Sequence, residues 1–222
     1  MGYGKLIAFE GADCAGKSSI IEKLKIVLPV IYDNEKFLYT REPGNLLSED
    51  NECEAIRKEV ISNKELTVRE QAELFAKSRL IHTKDIIDKL KEGYNVITDR
   101  YLLSSLIYQG IILGFKEVYD INKDVIKLLN DNDIKLETIV FKINKNTYNE
   151  RMSNRQEEKD ALEDVELSQV LDRIDYYNLT SSRIELNCVK KNDISVVNAN
   201  GTDYGRMLID TLYHINRILE EE

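Results

Sequence analysis

Gly11-Ala12-Asp13-Cys14-Ala15-Gly16-Lys17-Ser18 fits the phosphate-loop pattern G-x-x-x-x-G-K-[ST], and no other stretch restricts the fold as much. The pattern requires a strand before it and a helix after it. Residues 6–10 read as a buried strand, and residues 17–27 read as a helix that ends ahead of Pro29. Glycines at 11 and 16 let the backbone turn tightly and aim its N–H groups at phosphate oxygens. The helix start adds the positive end of its dipole. Lys17 is placed to put a cation on the β- and γ-phosphates, and the Ser18 hydroxyl to ligate Mg2+. The loop, with Ser19 beside it, implies ATP or GTP together with Mg2+. It leaves ATPases, GTPases and small-molecule kinases open.

The rest of the chain alternates short apolar runs with longer amphipathic stretches. Further strands are expected over 37–40, 95–99, 138–143 and 194–198, each apolar through its middle. Such runs suit strands buried on both faces of a parallel sheet. The expected fold is therefore α/β, three α/β/α layers around a five-stranded parallel sheet. Thr67-Val68-Arg69-Glu70 fits a capping box that opens a long helix to about Lys91, with Gly93 as its stop. Helices are also expected over 101–113, 120–129 and about 204–219. The charged stretch 146–179 has a broken pattern, which predicts helices joined by a mobile lid at about 146–165. With no repeat and no linker composition, the 222 residues read as one domain.

The net charge of −9 argues against nucleic acid as a partner, since phosphate backbones select clustered Lys and Arg. No apolar run approaches the roughly 18 residues that cross a bilayer. The start lacks the apolar stretch and small-residue cleavage site of a secretory signal, so a cytoplasmic protein without a membrane partner is expected. Cys14, Cys53 and Cys188 lie far apart without metal spacing and read as reduced thiols. His82 and His214, the two histidines, fall at unrelated places and lend no support to a His-based metal site or triad.

Three pairs of residues carry further chemistry. Thr40-Arg41 and Asp99-Arg100 stand at the C-terminal ends of expected strands, the edge where open α/β sheets bind ligands. Arginines there, beside the phosphate loop, can clamp a second phosphate group and neutralise charge during transfer. Phe75 and Arg79 are four apart on an expected helix and share one face. A ring and a guanidinium together can hold a pyrimidine by its flat face and its carbonyl edge.

Phe9-Glu10-Gly11-Ala12-Asp13, Thr40-Arg41-Glu42-Pro43-Gly44, Leu74-Phe75-Ala76-Lys77-Ser78-Arg79 and Asp99-Arg100-Tyr101-Leu102-Leu103-Ser104-Ser105-Leu106-Ile107-Tyr108-Gln109-Gly110 follow one another at fitting separations. With Glu54-Ala55-Ile56-Arg57, they resemble the motifs of the thymidylate kinase family across essentially the whole chain. The resemblance implies a homodimeric kinase that passes the γ-phosphoryl group of ATP to the phosphate of dTMP. It implies that Arg41 and Arg100 hold the acceptor's 5′-phosphate, that Phe75 stacks under thymine and that Arg79 bonds its oxygen. Ser105 would face the N3 edge, and Tyr108 would crowd a ribose 2′-hydroxyl. Asp13 would lie near the 3′-hydroxyl and, with Ser18 and Asp99, near the metal. Ser104 and Gln109 either reach the substrate or satisfy backbone groups.

Three departures from the family pattern matter. Cys14 stands where relatives carry Gly or a catalytic Arg, and supplies no positive charge. In the lid, Arg151 and Arg155 match a family R-x-x-x-R, with Lys159 four residues on, but Ala161 replaces the arginine of D-R-x-E between Asp160 and Glu163. The transition-state cation is therefore expected from Arg151 or Arg155, or from Lys159. Finally, Asn45-Leu46-Leu47-Ser48-Glu49-Asp50 lengthens the loop after Gly44, which leaves substrate range open. The alternatives are a broader deoxynucleoside monophosphate kinase, a deoxynucleoside kinase, and a regulatory module that binds nucleotide without turnover.

Overall fold

The computed structural model describes residues 3–48, 52–154, 166–183, 188–201 and 203–221. All five expected strands form: β1 (Leu6–Gly11), β2 (Lys36–Arg41), β3 (Tyr94–Asp99), β4 (Leu136–Lys142) and β5 (Asn192–Asn198). They pair in parallel into one sheet of order β2-β3-β1-β4-β5. Every residue of β1 is buried, as a central strand with both faces covered requires, while the edge strands β2 and β5 are only partly buried.

The helices are α1 (Lys17–Ile31), α2 (Glu52–Ser62), α3 (Val68–Lys91), α4 (Leu102–Tyr108), α5 (Gly110–Leu113), α6 (Phe115–Ile121), α7 (Lys123–Asp131), α8 (Lys145–Ser153), α9 (Leu167–Arg183) and α10 (Tyr204–Glu220). One layer is α1 packed on α10 and on the sheet; α3, α4, α7 and α9 form the other. That is the expected three-layer architecture. Among the described residues no helix is long and apolar enough to cross a membrane.

The topology decides where a ligand can sit. β1 and β3 are neighbours, yet β1 sends the chain to β2 on one side and β3 sends it to β4 on the other. Such a switch point opens a crevice beyond the strand ends. The register pairs Arg41 with Asp99 and Asp99 with Phe9, so β2, β3 and the phosphate loop all end on that crevice.

Several boundaries differ from expectation. α1 runs through Pro29 to Ile31 because the proline falls in the last turn, where it removes a single ladder bond. The Tyr32 N–H still closes on the Leu28 carbonyl at 2.9 Å. The single helix expected over 101–113 breaks at Gln109 into α4 and α5, and the one over 120–129 becomes α6 and α7, hinged at Asn122. α2 is a helix that sequence patterning missed. Of the expected lid, α8 is described, with its first turn capped by the Asn144 side chain accepting from the Thr147 N–H at 2.8 Å. Arg155, Lys159, Asp160, Ala161 and Glu163 lie outside the described residues.

The capping box forms as read. Thr67 Oγ1 accepts from the Glu70 N–H at 3.2 Å, and Glu70 Oε2 accepts from the Thr67 N–H at 2.9 Å. Thr67→Ala removes the hydroxyl arm and should lower the thermal midpoint by about 2–4 °C in a calorimetric scan.

Candidate active site

The phosphate loop owes its path to residues with unusual backbone angles. Gly11 has φ 148°, and a Cβ there would come within 2.6 Å of the Phe141 carbonyl oxygen. Gly16 at φ 89° opens α1 in the left-handed region that glycine adopts freely. Cys14 also sits there, at φ 60°, where a side chain costs about 1 kcal/mol. Glycine would suit that position on backbone grounds alone.

Lys17 is buried, and its Nζ donates to the carbonyls of Gly11 and Ala12, both at 3.0 Å. Burial pulls its pKa down to about 8; Arg100 adds to the drop, while Asp99, Asp13 and Glu10 oppose it. Ser18 Oγ donates to Asp99 Oδ2 at 2.8 Å, and Asp99 Oδ1 is buried without a partner among the described residues. A hydroxyl and a carboxylate with a spare oxygen form the hard-oxygen set that Mg2+ takes alongside nucleotide phosphates. Asp13, expected at the metal as well, has both oxygens committed elsewhere. Ser19 is exposed in the first turn of α1.

Arg151, from α8, reaches this loop. Its guanidinium donates to the carbonyls of Cys14 at 3.0 Å, Ala199 at 2.8 Å and Gly201 at 2.6 Å, and lies over the Tyr204 ring. The first lid arginine thus ties the phosphate loop to the segment after β5.

A cavity of about 310 Å3 opens beside the loop. Asp13, Arg41, Phe75, Arg79, Arg100, Ser105, Tyr108 and Gln109 all line it, so the eight residues expected to meet the acceptor do share one space. Ser18 and Asp99 line it too, joining it to the donor side.

Arg100 organises the middle of the cavity. Its φ of 67° places a large side chain in the left-handed region, and several bonds hold it there. The Arg100 N–H donates to the Phe9 carbonyl at 2.9 Å, and its own carbonyl accepts from Thr98 Oγ1 at 2.8 Å. Next along the chain, the N–H groups of Tyr101 and Ser104 both donate to Glu10 Oε1, at 2.8 and 3.1 Å. Glu10 Oε2 accepts from the Ser104 and Tyr177 hydroxyls at 2.6 and 3.2 Å. Burial raises the Glu10 pKa against the pull of these donors and of Arg100.

The Arg100 guanidinium forms a short ion pair with Asp13 Oδ1 and donates to Tyr108 Oη at 3.1 Å. Tyr108 in turn donates to Asp13 Oδ2 at 2.7 Å. Burial alone would raise the Asp13 carboxyl; Arg100, then Lys17 and the Tyr108 hydroxyl, reverse this and hold it below the usual carboxylate range. Burial lifts the Tyr108 and Tyr177 phenols well above their ordinary values, so both stay protonated. Arg173 from α9 stacks on the Tyr108 ring at 4.2 Å.

At the other end, Phe75 is buried against Ile56 and Val60 of α2, so it is at once core and cavity wall. Arg79 donates from Nε to Glu42 Oε2 at 2.5 Å and from Nη1 to Asn122 Oδ1 at 2.6 Å. Gln109 is buried, and its Oε1 has no partner among the described residues, an acceptor left for a ligand. Arg41 donates to Glu54 Oε2 at 3.0 Å while its buried Nε has no partner among the described residues. Sequence reasoning missed Asn122, Arg173 and Tyr177, and gave no role to Glu10, Glu42 and Glu54 although they stand in the quoted motifs. All of them act by holding another site residue.

The family model described as thymidylate kinase matches residues 9–198. A thymidylate kinase from Mycoplasma mobile is 47% identical over 121 residues, 52% of this chain and 56% of that one. One from Limosilactobacillus reuteri is 41% identical over 126 residues, covering 54% and 57%. The chain thus spans a little over half the length of these relatives. One from Ureaplasma parvum is 36% identical over 167 residues, 72% of this chain and 69% of that one. The solved structure of the Candida albicans thymidylate kinase superposes with a TM-score of 0.63 at 22% identity, over 98% of this chain and 93% of that one, which speaks for the fold. With the match running from β1 to the end of β5, this chain belongs to the thymidylate kinase family.

Proposed function

We propose that this chain transfers the γ-phosphoryl group of ATP to the phosphate of thymidine monophosphate, giving ADP and thymidine diphosphate. The observation that carries this reading is the shared cavity, lined together by two strand-end arginines, phosphate-loop residues and a Phe–Arg pair. Arg41 and Arg100 hold the acceptor phosphate in line with the donor; Phe75 stacks on the base, and Arg79 reads its carbonyl edge. Ser105 and the free oxygen of Gln109 meet the remaining polar edge. Tyr108 crowds the sugar, and Asp13 receives its 3′-hydroxyl. Mg2+, held by Ser18 and Asp99, would shield the charge between the outer donor phosphates. Lys17 supplies the fixed cation, and Arg155 of the lid is assigned the transferring group. Arg151 steadies the loop that holds ATP.

A nucleoside acceptor is disfavoured. Its 5′-hydroxyl would need a general base, and both oxygens of Asp13 are engaged by Arg100 and Tyr108. An ADP-release assay over nucleosides and monophosphates tests the assignment. Thymidine monophosphate should give the highest kcat/KM and thymidine none; turnover of thymidine alone, or of nothing in the panel, would refute it. The family resemblance further suggests a homodimer, for which light scattering should return twice the chain mass. Cys14, Cys53 and Cys188, none of them in a disulfide among the described residues, suit a cytoplasmic setting.

A further inference from the structure

The loop after β2 is joined to Arg79 by hydrogen bonds whose direction follows atom by atom. The Leu46 N–H donates to Thr40 Oγ1 at 3.2 Å, and Thr40 Oγ1 lies 2.8 Å from His82 Nε2. His82 Nδ1 lies 3.2 Å from Glu42 Oε1, and the other oxygen of Glu42 takes the Arg79 Nε–H. Beyond Arg79, Asn122 Nδ2 donates to the Val118 carbonyl at 2.8 Å, which turns its Oδ1 toward the guanidinium. His82 is 0% exposed, and Thr40, Glu42 and Arg79 are also buried.

One arrangement of protons satisfies every member. Thr40, having accepted from Leu46, has its own proton to give, and its acceptor among the described residues is His82 Nε2. The ring proton is then on Nδ1 and points at Glu42. The opposite tautomer would set a lone pair against the Glu42 oxygen. An imidazolium would leave the Thr40 proton without an acceptor.

We infer that His82, held as the neutral Nδ1–H tautomer, is a positioning residue that fixes Glu42 and through it the Arg79 guanidinium, and so sets how sharply the cavity selects its nucleobase. This rests on the proposed function in taking the Arg79 end as the base end. A guanidinium discriminates by the direction of its N–H bonds. Glu42 freed at one oxygen can swing, and Arg79 swings with it. The chain of bonds begins at Leu46, inside the segment where this sequence departs from the family pattern. The backbone conformation of the loop is thereby coupled to base selection.

Two measurements test the inference. The chain has only His82 and His214, so a side-chain 15N correlation spectrum holds two rings, and His82→Asn assigns them. His82 should show the Nδ1-protonated neutral pattern at pH 7; an Nε2-protonated or imidazolium pattern overturns the proton arrangement. Kinetics then compares dTMP with dCMP, which presents an amino group where thymine presents a carbonyl. His82→Leu should raise KM for dTMP about tenfold and cut the dTMP preference about tenfold, leaving KM for ATP unchanged. His82→Asn, which keeps an N–H facing Glu42, should restore most of both. Equal losses for ATP and dTMP, an unchanged preference in His82→Leu, or no rescue by Asn overturns the positioning role. Absence of dTMP turnover in the unaltered chain overturns the proposed function instead, and the spectrum alone then decides the tautomer.

Discussion

Lys17→Ala should lower kcat by about three orders of magnitude while leaving the circular dichroism spectrum unchanged. The size follows from position: a buried ammonium at the phosphate loop meets charge that develops in the transition state, in a site with little water to screen it. The fold should survive because Lys17 gains little from folding. Its native pKa of about 8 lies below the unfolded value near 10.4, so between the two the unfolded chain binds more protons and stability rises with pH. Removing the charge at pH 7 therefore relieves a burial cost. The same depression predicts a pH signature in catalysis. kcat/KM for ATP, which reports the free enzyme, should fall about tenfold per pH unit above about 8. kcat, which reports the complex, should hold to higher pH because bound phosphates favour the charged lysine. Near-normal turnover by Lys17→Ala, or coincident breaks in the two profiles, would remove Lys17 from the transfer step.

The sheet was legible because each strand is a short apolar run that its neighbours bury, as at β1 and β4, whose alternatives as amphipathic helices the pattern excludes. α2 was not. Its buried residues are only Cys53, Ile56 and Val60, a stripe too thin to stand out from the charged residues around it. Pro29 misled for a related reason: a proline signals a helix end in sequence, but its cost depends on which turn it occupies. In the site, residues that face the cavity belong to contiguous motifs and could be found together. Supports that stand outside those motifs could not. Tyr177 meets Glu10 across 167 residues of sequence, and Arg79 meets Asn122 across 43, separations at which no local spacing carries information. His82 is the clearest case: an isolated histidine in a long helix shows no local pattern that points to a role, and only the fold shows it between Thr40 and Glu42.

Arg100→Ala should do two separable kinds of damage. The first is to function: loss of the clamp on the acceptor phosphate should cut kcat/KM for dTMP by about 10³, with KM for ATP nearly unchanged. The second is to stability. Asp13 and Arg100 form an ion pair whose side chains are only 16% and 19% exposed, and Glu10 is buried beside them. Removing the cation strands an ionised Asp13 and should cost about 3–5 kcal/mol in denaturant unfolding. The sign of its pH dependence follows from Asp13, whose native pKa is depressed mainly by Arg100 against the opposing effect of burial. The wild type holds this stabilisation above the unfolded carboxyl pKa and loses it as pH falls through the native one; the variant lacks it throughout, so the gap between the two should close in acid. A second substitution separates the two effects. Arg100→Ala with Asp13→Asn removes the stranded charge, so stability should recover by most of the loss while activity stays down. Recovery of both together would mean that Arg100 serves the fold alone. Recovery of neither would mean that the left-handed turn between β3 and α4, pinned by Glu10, depends on the guanidinium itself.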